Sequence, residues 1–263
     1  MTVKAVWFDL DDTLLWDERS VREALQAAAL LAAERTGADP EALTAAVERE
    51  TQALYESYET YPFTQMIGIN RFEALWARFE DTEHPIFARL REIAPAYRQE
   101  AWTRALRAVG VDDPGLGAEL AGRFVEERRR RPYLFEDALP TLDQLRPRYG
   151  LLLLTNGSPS LQREKLAGVP ELASYFDHIV ISGSFGEGKP SPRLFRHAMA
   201  LHGVSAEETV MVGDRLTTDV LGAGSVGMRS VWVNRRGLPR GEDIVPTWEI
   251  RSLRELPALL ERA

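Results

Sequence analysis

Apolar positions change their period twice along this chain. At the amino end Val3, Ala5, Val6, Trp7 and Phe8 form a short, nearly continuous run, the pattern of a strand buried on both faces. From Asp17 to about Arg131 the apolar positions recur every three to four residues, as in Val21, Leu25, Ala28 and Leu31, in Ile67, Phe72, Leu75, Trp76 and Phe79, and in Leu116, Leu120 and Phe124. That spacing predicts amphipathic helices and no strand. After Pro132 the two periods alternate. Helices are expected at 139–145, 161–166, 192–202, 217–225 and 253–260, and strands at 150–154, 179–181, 209–212 and 230–233. Strands and helices that trade places over short connections imply a parallel sheet covered on both faces. The predicted fold is therefore α/β: a doubly wound, Rossmann-like parallel sheet formed by residues 1–16 and 132–263, with residues 17–131 inserted as an all-helical domain.

Composition narrows what such a molecule can do. With 263 residues, 44% hydrophobic and 27% charged, the chain can bury a large core as one big domain or two smaller ones. A formal charge of −8 argues against nucleic acid as the main partner, because phosphate backbones are gripped by clustered Lys and Arg. The absence of cysteine excludes disulfides, thiolate metal sites and cysteine nucleophiles. The longest apolar run, Ala27 to Ala33, is too short for a bilayer, and no export leader is evident. A cytoplasmic protein without membrane or nucleic-acid partners is the expectation.

The polar residues at the carboxyl ends of the predicted strands carry the chemistry, since ligands of open α/β sheets bind outside those ends. The first strand ends in FDLDDTL, which crowds Asp9, Asp11 and Asp12 together. Carboxylates this close repel one another unless a cation offsets them. The next strand delivers Thr155, Asn156 and Gly157, the third is followed by Gly188-Lys189-Pro190, and the fourth delivers Gly213-Asp214 with Asp219 beyond. Any one of these has an ordinary explanation as a turn, a helix cap or a solvated lysine. All of them at one end of one sheet, in a chemically compatible set, do not.

The ordered set Asp9-Leu10-Asp11-Asp12-Thr13, Thr155, Lys189 and Gly213-Asp214 with Asp219 resembles the four signature motifs of the haloacid dehalogenase (HAD) superfamily, over a core from residue 3 to about 233. The helical insert directly after the first motif is similar to the superfamily's C1-type cap, and FDLDDTL points to its phosphatase branch. Asp12 stands where most relatives have Gly, a change in a turn and not in a reacting group. The resemblance implies a phosphoric monoester hydrolase acting on a small phosphate ester. Asp9 would be the nucleophile, forming an aspartyl-phosphate, and Asp11 the general acid and base. Thr155, with backbone N–H groups near Asn156, would bind the phosphoryl group, and Lys189 would offset its charge and that of Asp9. Mg²⁺ suits a site built only of hard oxygens. By resemblance Asp9 and Asp214 supply it with side-chain oxygens and Asp11 with its backbone carbonyl, while Asp219 orients the set.

Two rivals share the superfamily: a 2-haloacid dehalogenase, against which Asp11 and Asp214 argue, and a phosphomutase using the same residues. A third, a phospho-aspartate signalling protein, would carry its acceptor on the third strand and has no place for the long insert. The remaining features read as structural. The run Glu126 to Arg131 is expected to be a solvated helix end, its cations set against the helix dipole. His84, His178, His197 and His202 lack ligand spacing, and Tyr55, Tyr58, Tyr61 and Phe63 read as core. The insert, joined near 14–17 and 131–133, is expected to act as a moving lid.

Overall fold

The structure, a computed structural model, describes residues 2–82, 84–241 and 243–262. Strand β1 (Ala5–Phe8) lies at the middle of the sheet because both of its faces are apolar. Ala5 and Trp7 pack with Leu152, Leu154 and Met211 on one side, and Val6 and Phe8 with Leu151, Leu153, Val210 and Val212 on the other. This two-residue alternation splits the core into two layers, one on each face of the sheet.

The chain then leaves the sheet for the insert. Its helices are α1 (Asp17–Thr36), α2 (Pro40–Glu56), α3 (Tyr61–Ile67), α4 (Arg71–Ala74), α5 (Ile86–Ala108) and α6 (Pro114–Arg130). Asp39 and Asp113 accept backbone N–H bonds at the starts of α2 and α6, each followed by a proline whose missing N–H costs the first turn nothing. Helix α1 packs on α2 and α6, and α5 on the same two. They close around Leu25, Val47, Trp102, Leu106, Leu120 and Phe124.

The regular spacing from Ile67 to Phe79 does not become one helix. Gly68 ends α3 with φ +79°, and Asn70 starts the short α4 through a reciprocal cap with Glu73. Phe79 then sits in a loop at φ +52°. A glycine stop and an asparagine restart outweigh the apolar period here, although Ile67, Leu75, Trp76 and Phe79 are buried and Phe72 is partly so.

Back in the sheet the order is α7 (Ala138–Leu145), β2 (Gly150–Thr155), α8 (Pro159–Ala167), α9 (Pro170–Ala173), β3 (His178–Ile181), α10 (Ser182–Phe185), α11 (Pro192–His202) and β4 (Thr209–Gly213). A π-helical turn over Leu216–Val220 runs into α12 (Leu221–Ser225), followed by β5 (Arg229–Val233), β6 (Trp248–Ile250) and α13 (Leu256–Leu260). Among the described residues the six strands are all parallel, in the order β3-β2-β1-β4-β5-β6. The short edge strand β6 escapes the sequence pattern because the charged Glu249 at its centre breaks the apolar run by which the other strands are read. Phe8 pairs with Leu153 on one side and with Val212 on the other. The residues that follow in each strand therefore emerge at one edge, at the point where the strand order reverses.

The two connections to the insert run side by side. The Trp16 N–H donates to Tyr133 O at 2.8 Å, and the Phe135 N–H to Leu14 O at 3.0 Å. The rings of Trp16 and Phe135 stack at 5.0 Å. The arginine run beside them is not a solvated helix end throughout: Glu127 and Arg128 are buried, and Arg128 pairs with Asp17 across the connection. Arg129 reaches Glu164 of α8 at 2.7 Å and Arg131 reaches Glu23 at 3.4 Å. Carboxylates of α1 and of α8 thus pair with part of the run, while Arg130 stays exposed. Among the described residues no helix is long and apolar enough to cross a membrane.

Candidate active site

Asp9 follows β1 directly and is 8% exposed. Its Oδ1 lies 2.5 Å from Lys189 Nζ, and its Oδ2 accepts the Thr13 hydroxyl at 3.3 Å. Lys189 Nζ also contacts Asp219 Oδ1 at 2.7 Å, and Asp219 Oδ2 accepts the Arg215 N–H at 3.1 Å. Burial pushes the Asp9 carboxyl above its ordinary range, against the pull of Lys189. Burial alone would lower the Lys189 ammonium, but Asp219 and Asp9 overcome it and hold Lys189 above its usual value. Lys189 therefore stays charged in a site that would otherwise discharge it.

Asn156 fixes this lysine. Its Oδ1 accepts the Lys189 N–H at 2.8 Å and its Nδ2 donates to Lys189 O at 3.0 Å. Its carbonyl accepts from Gln162 Nε2 at 2.7 Å, so the backbone N–H is what Asn156 has to offer a phosphoryl oxygen. Thr155 is buried at the end of β2, where its Oγ1 accepts from Gln162 Nε2 at 2.7 Å.

Asp11 is held differently. Its Oδ2 accepts from Lys165 Nζ at 2.8 Å and from Gln162 Nε2 at 3.0 Å. Oδ1 is buried and has no partner among the described residues. Burial raises the Asp11 carboxyl against the pull of Lys165, with Asp17 and Asp9 adding to the rise. Asp12 adopts φ +61°, the left-handed conformation in which glycine costs least and Asp is among the better alternatives. Its Oδ1 accepts the Glu18 N–H at 2.8 Å, and burial pushes its carboxyl up to about 7.

Asp214 follows β4. Its carboxylate makes no hydrogen bond among the described residues, and burial, then Asp9 and Asp219, raise it well above its ordinary range. One oxygen from each of Asp9, Asp214 and Asp219 falls within 4.8 Å of the others. The Asp11 carbonyl likewise accepts no hydrogen bond among the described residues. Crowded hard oxygens, one wholly unpaired carboxylate and a free carbonyl fit a divalent cation of the Mg²⁺ type. Asp219, engaged at both oxygens, is placed to orient its neighbours.

Every residue singled out from the sequence thus lies at this edge. Gln162, Lys165 and Glu73 were missed. A signal for the first two was present: they stand three apart on α8 beside the apolar Leu161 and Leu166, polar residues on an inward face. Glu73 gave none, because it reaches the site from the insert.

This arrangement defines a class. The model of the haloacid dehalogenase-like hydrolases matches residues 3–227, and the chain belongs to that family. Over 258 residues it is 40% identical to the phosphoserine phosphatase of Thermus thermophilus, covering 97% of this chain and 98% of that one. It is 38% identical over 168 residues to the N-acylneuraminate-9-phosphatase of Rattus norvegicus, covering 62% of this chain and 67% of that one. In fold it is similar to the HAD hydrolase YfnB of Bacillus subtilis, at TM-score 0.68 and 22% identity, with 99% of each chain covered; that structure is bound to magnesium and reveals interdomain movement. The chain is an enzyme of the phosphatase kind, a phosphoric monoester hydrolase.

Proposed function

We propose that the protein hydrolyses a small phosphorylated metabolite through an aspartyl-phosphate on Asp9, with Mg²⁺ as cofactor. The observation that carries this reading is the division of labour between two neighbouring carboxyls. Asp9 is held by Lys189 at 2.5 Å, whereas Asp11 keeps one buried oxygen without a partner. An Asp9 oxygen attacks phosphorus while the bond from phosphorus to the ester oxygen breaks, and that oxygen takes the proton of Asp11 as the alcohol leaves. Water then attacks phosphorus and gives its proton to Asp11, and the acyl-phosphate bond breaks to return the Asp9 carboxylate and release phosphate. Lys189 and Thr155 offset and orient the phosphoryl oxygens during both displacements.

Asp9 and Asp214, with the Asp11 carbonyl, would hold the cation, which when bound neutralises phosphoryl charge and aligns it for attack. Residues 1–16 with 132–263 serve in this reading as the reacting core, and 17–131 as the cap that closes over it. The extent of the match to the Thermus thermophilus phosphoserine phosphatase makes O-phosphoserine the first substrate to test. Phosphate release from it and from a panel of phosphorylated metabolites, measured with Mg²⁺ and with chelator, decides the matter. Activity that persists in chelator overturns the mechanism. Asp9→Asn is expected to abolish release while leaving the fold intact, since the amide is nearly isosteric but cannot attack phosphorus.

A further inference from the structure

Gln162 and Lys165 stand one turn apart on α8, and both heads converge on the same atom, Oδ2 of Asp11. Two donors on one oxygen fix the plane of the carboxyl and leave the other oxygen, Oδ1, without a partner. Lys165 then reaches out of the sheet domain. Its ammonium lies 2.8 Å from Glu73 Oε1 and 3.8 Å from Asp17 Oδ1. Lys165 is 5% exposed and Glu73 3%, so neither is a loose surface partner. Glu73 is itself anchored, its Oε2 accepting the Asn70 N–H at 2.9 Å within the cap of α4. A continuous polar chain thus runs from Asn70 of the insert through Glu73 and Lys165 to Asp11.

We propose that Lys165 is a positioning residue that couples closure of the insert to the placement of the acid. With Glu73 docked, Lys165 and Gln162 hold Asp11 by one oxygen and present the other to the departing ester oxygen. With the insert lifted, Lys165 loses one of its two close carboxylates and the grip on Asp11 loosens. The inference rests on the reading of Asp11 as general acid given above. Fastening the insert does not by itself require a lysine at this point. Asp81 of the insert already accepts the Ser158 and Ser160 hydroxyls at the start of α8, at 2.5 and 2.8 Å. Ile67 O accepts the Gly157 N–H at 3.1 Å, and Met66 O the Gly188 N–H at 2.8 Å. Among the described ion pairs between insert and sheet domain, the Lys165 bridge alone also holds a carboxyl assigned to the reaction.

The test separates a positioning role from a structural tie by the leaving group. An alkyl phosphate needs a proton on its departing oxygen, whereas p-nitrophenyl phosphate leaves as a stable phenolate. Asp11→Asn sets the scale: its loss of kcat should be far greater on the alkyl phosphate that the native enzyme cleaves best than on p-nitrophenyl phosphate. Lys165→Met is expected to show the same bias, about ten-fold or more, with KM little changed. Lys165→Arg should recover part of it, and Glu73→Gln, acting from the insert, should show a smaller loss of the same sign. Equal losses on the two substrates for Lys165→Met and Glu73→Gln overturn the proposal, leaving a structural tie. Should Lys165→Met fail to fold, Glu73→Gln and Gln162→Leu carry the same comparison. An unbiased Asp11→Asn overturns the general-acid reading itself, an outcome distinct from failure of the Lys165 variants alone.

Discussion

Two buried lysines organise this site, and they do so in opposite ways. Lys189 is shared by Asp9 and Asp219, all three carried by the sheet domain. Lys165 is shared by Asp11 of the sheet domain and Glu73 of the insert, with Asp17 at the connection nearby. In each, the fields of the carboxylates overcome the burial that would discharge the ammonium, and the lysine is held above its ordinary value. The first cluster contains no side chain of the insert. The second includes Glu73, so under the closure proposed above it would lose that carboxylate as the insert lifts. In the reading proposed above, a permanent charge serves the phosphoryl group and a conditional one serves the proton.

The sharpest way to break the comparison is to remove each lysine in turn. Lys189→Met should lower kcat by roughly 10² to 10³, the cost of losing one preorganised electrostatic partner of the transition state. It should also destabilise the fold by about 3 to 5 kcal/mol, because Asp9 and Asp219 are left buried without their cation. Both losses should appear equally on alkyl and aryl phosphates, in contrast to the bias expected for Lys165. Chemical denaturation together with kinetics on the two substrate types checks this, and a leaving-group bias for Lys189→Met would erase the distinction between the clusters.

Acid should weaken the conditional side of the molecule through the connection. Burial would raise Asp17, but Arg128 and Lys165 overcome it and draw its carboxyl down to about 2. A group depressed on folding stabilises the native state above its unfolded value of about 4, and this contribution fades as the pH falls from about 4 towards 2. Its full size is about 2 kcal/mol. Asp17→Asn should lose that stability at neutral pH and show a shallower acid transition than the native protein, as urea midpoints between pH 3 and 6 would reveal. Parallel profiles would show that the pair does not carry this linkage.

The smallest effect is expected at Arg129 and Glu164, an ion pair that also joins insert to sheet domain but remains about a third exposed on the arginine side. Arg129→Ala should change stability by less than about 1 kcal/mol and leave kcat alone, because exposed pairs are screened by water and salt. A large kinetic effect there would mean that any tie to the insert matters, not the buried one in particular.

The sheet was legible in the sequence because buried parallel strands read as short apolar runs between helical periods, and the register of Phe8 with Leu153 and Val212 then brings their ends together. The carboxylates, Thr155 and Lys189 were legible for the same reason: each directly follows a strand or lies in the loop beyond it. What remained hidden depends on tertiary approach. Glu73 lies in a helical stretch like many others, and only the docking of α4 on α8 makes it part of the site. Arg128 looked solvated within a run of like charges, because its partner Asp17 lies more than a hundred residues earlier in the chain. The role of Asn156 was only half visible: the sequence placed it at the right edge, but the direction of its side chain, towards the Lys189 backbone, follows from loop geometry that no pattern encodes.

The paired connections at Leu14–Trp16 and Tyr133–Phe135 have a meaning for the history of such folds. Because the insert leaves and returns through adjacent, hydrogen-bonded backbone, the sheet experiences it as a hairpin whose tip can be of almost any size. Closing a longer loop costs only about 0.6 kcal/mol for each doubling of its length. A sequence could therefore have acquired, enlarged or exchanged the whole helical block in one genetic event without disturbing strand order. The same geometry marks residues 16 and 133 as the splice points at which a short turn, or the insert of a relative with different substrate preferences, could be grafted onto an unchanged reacting core.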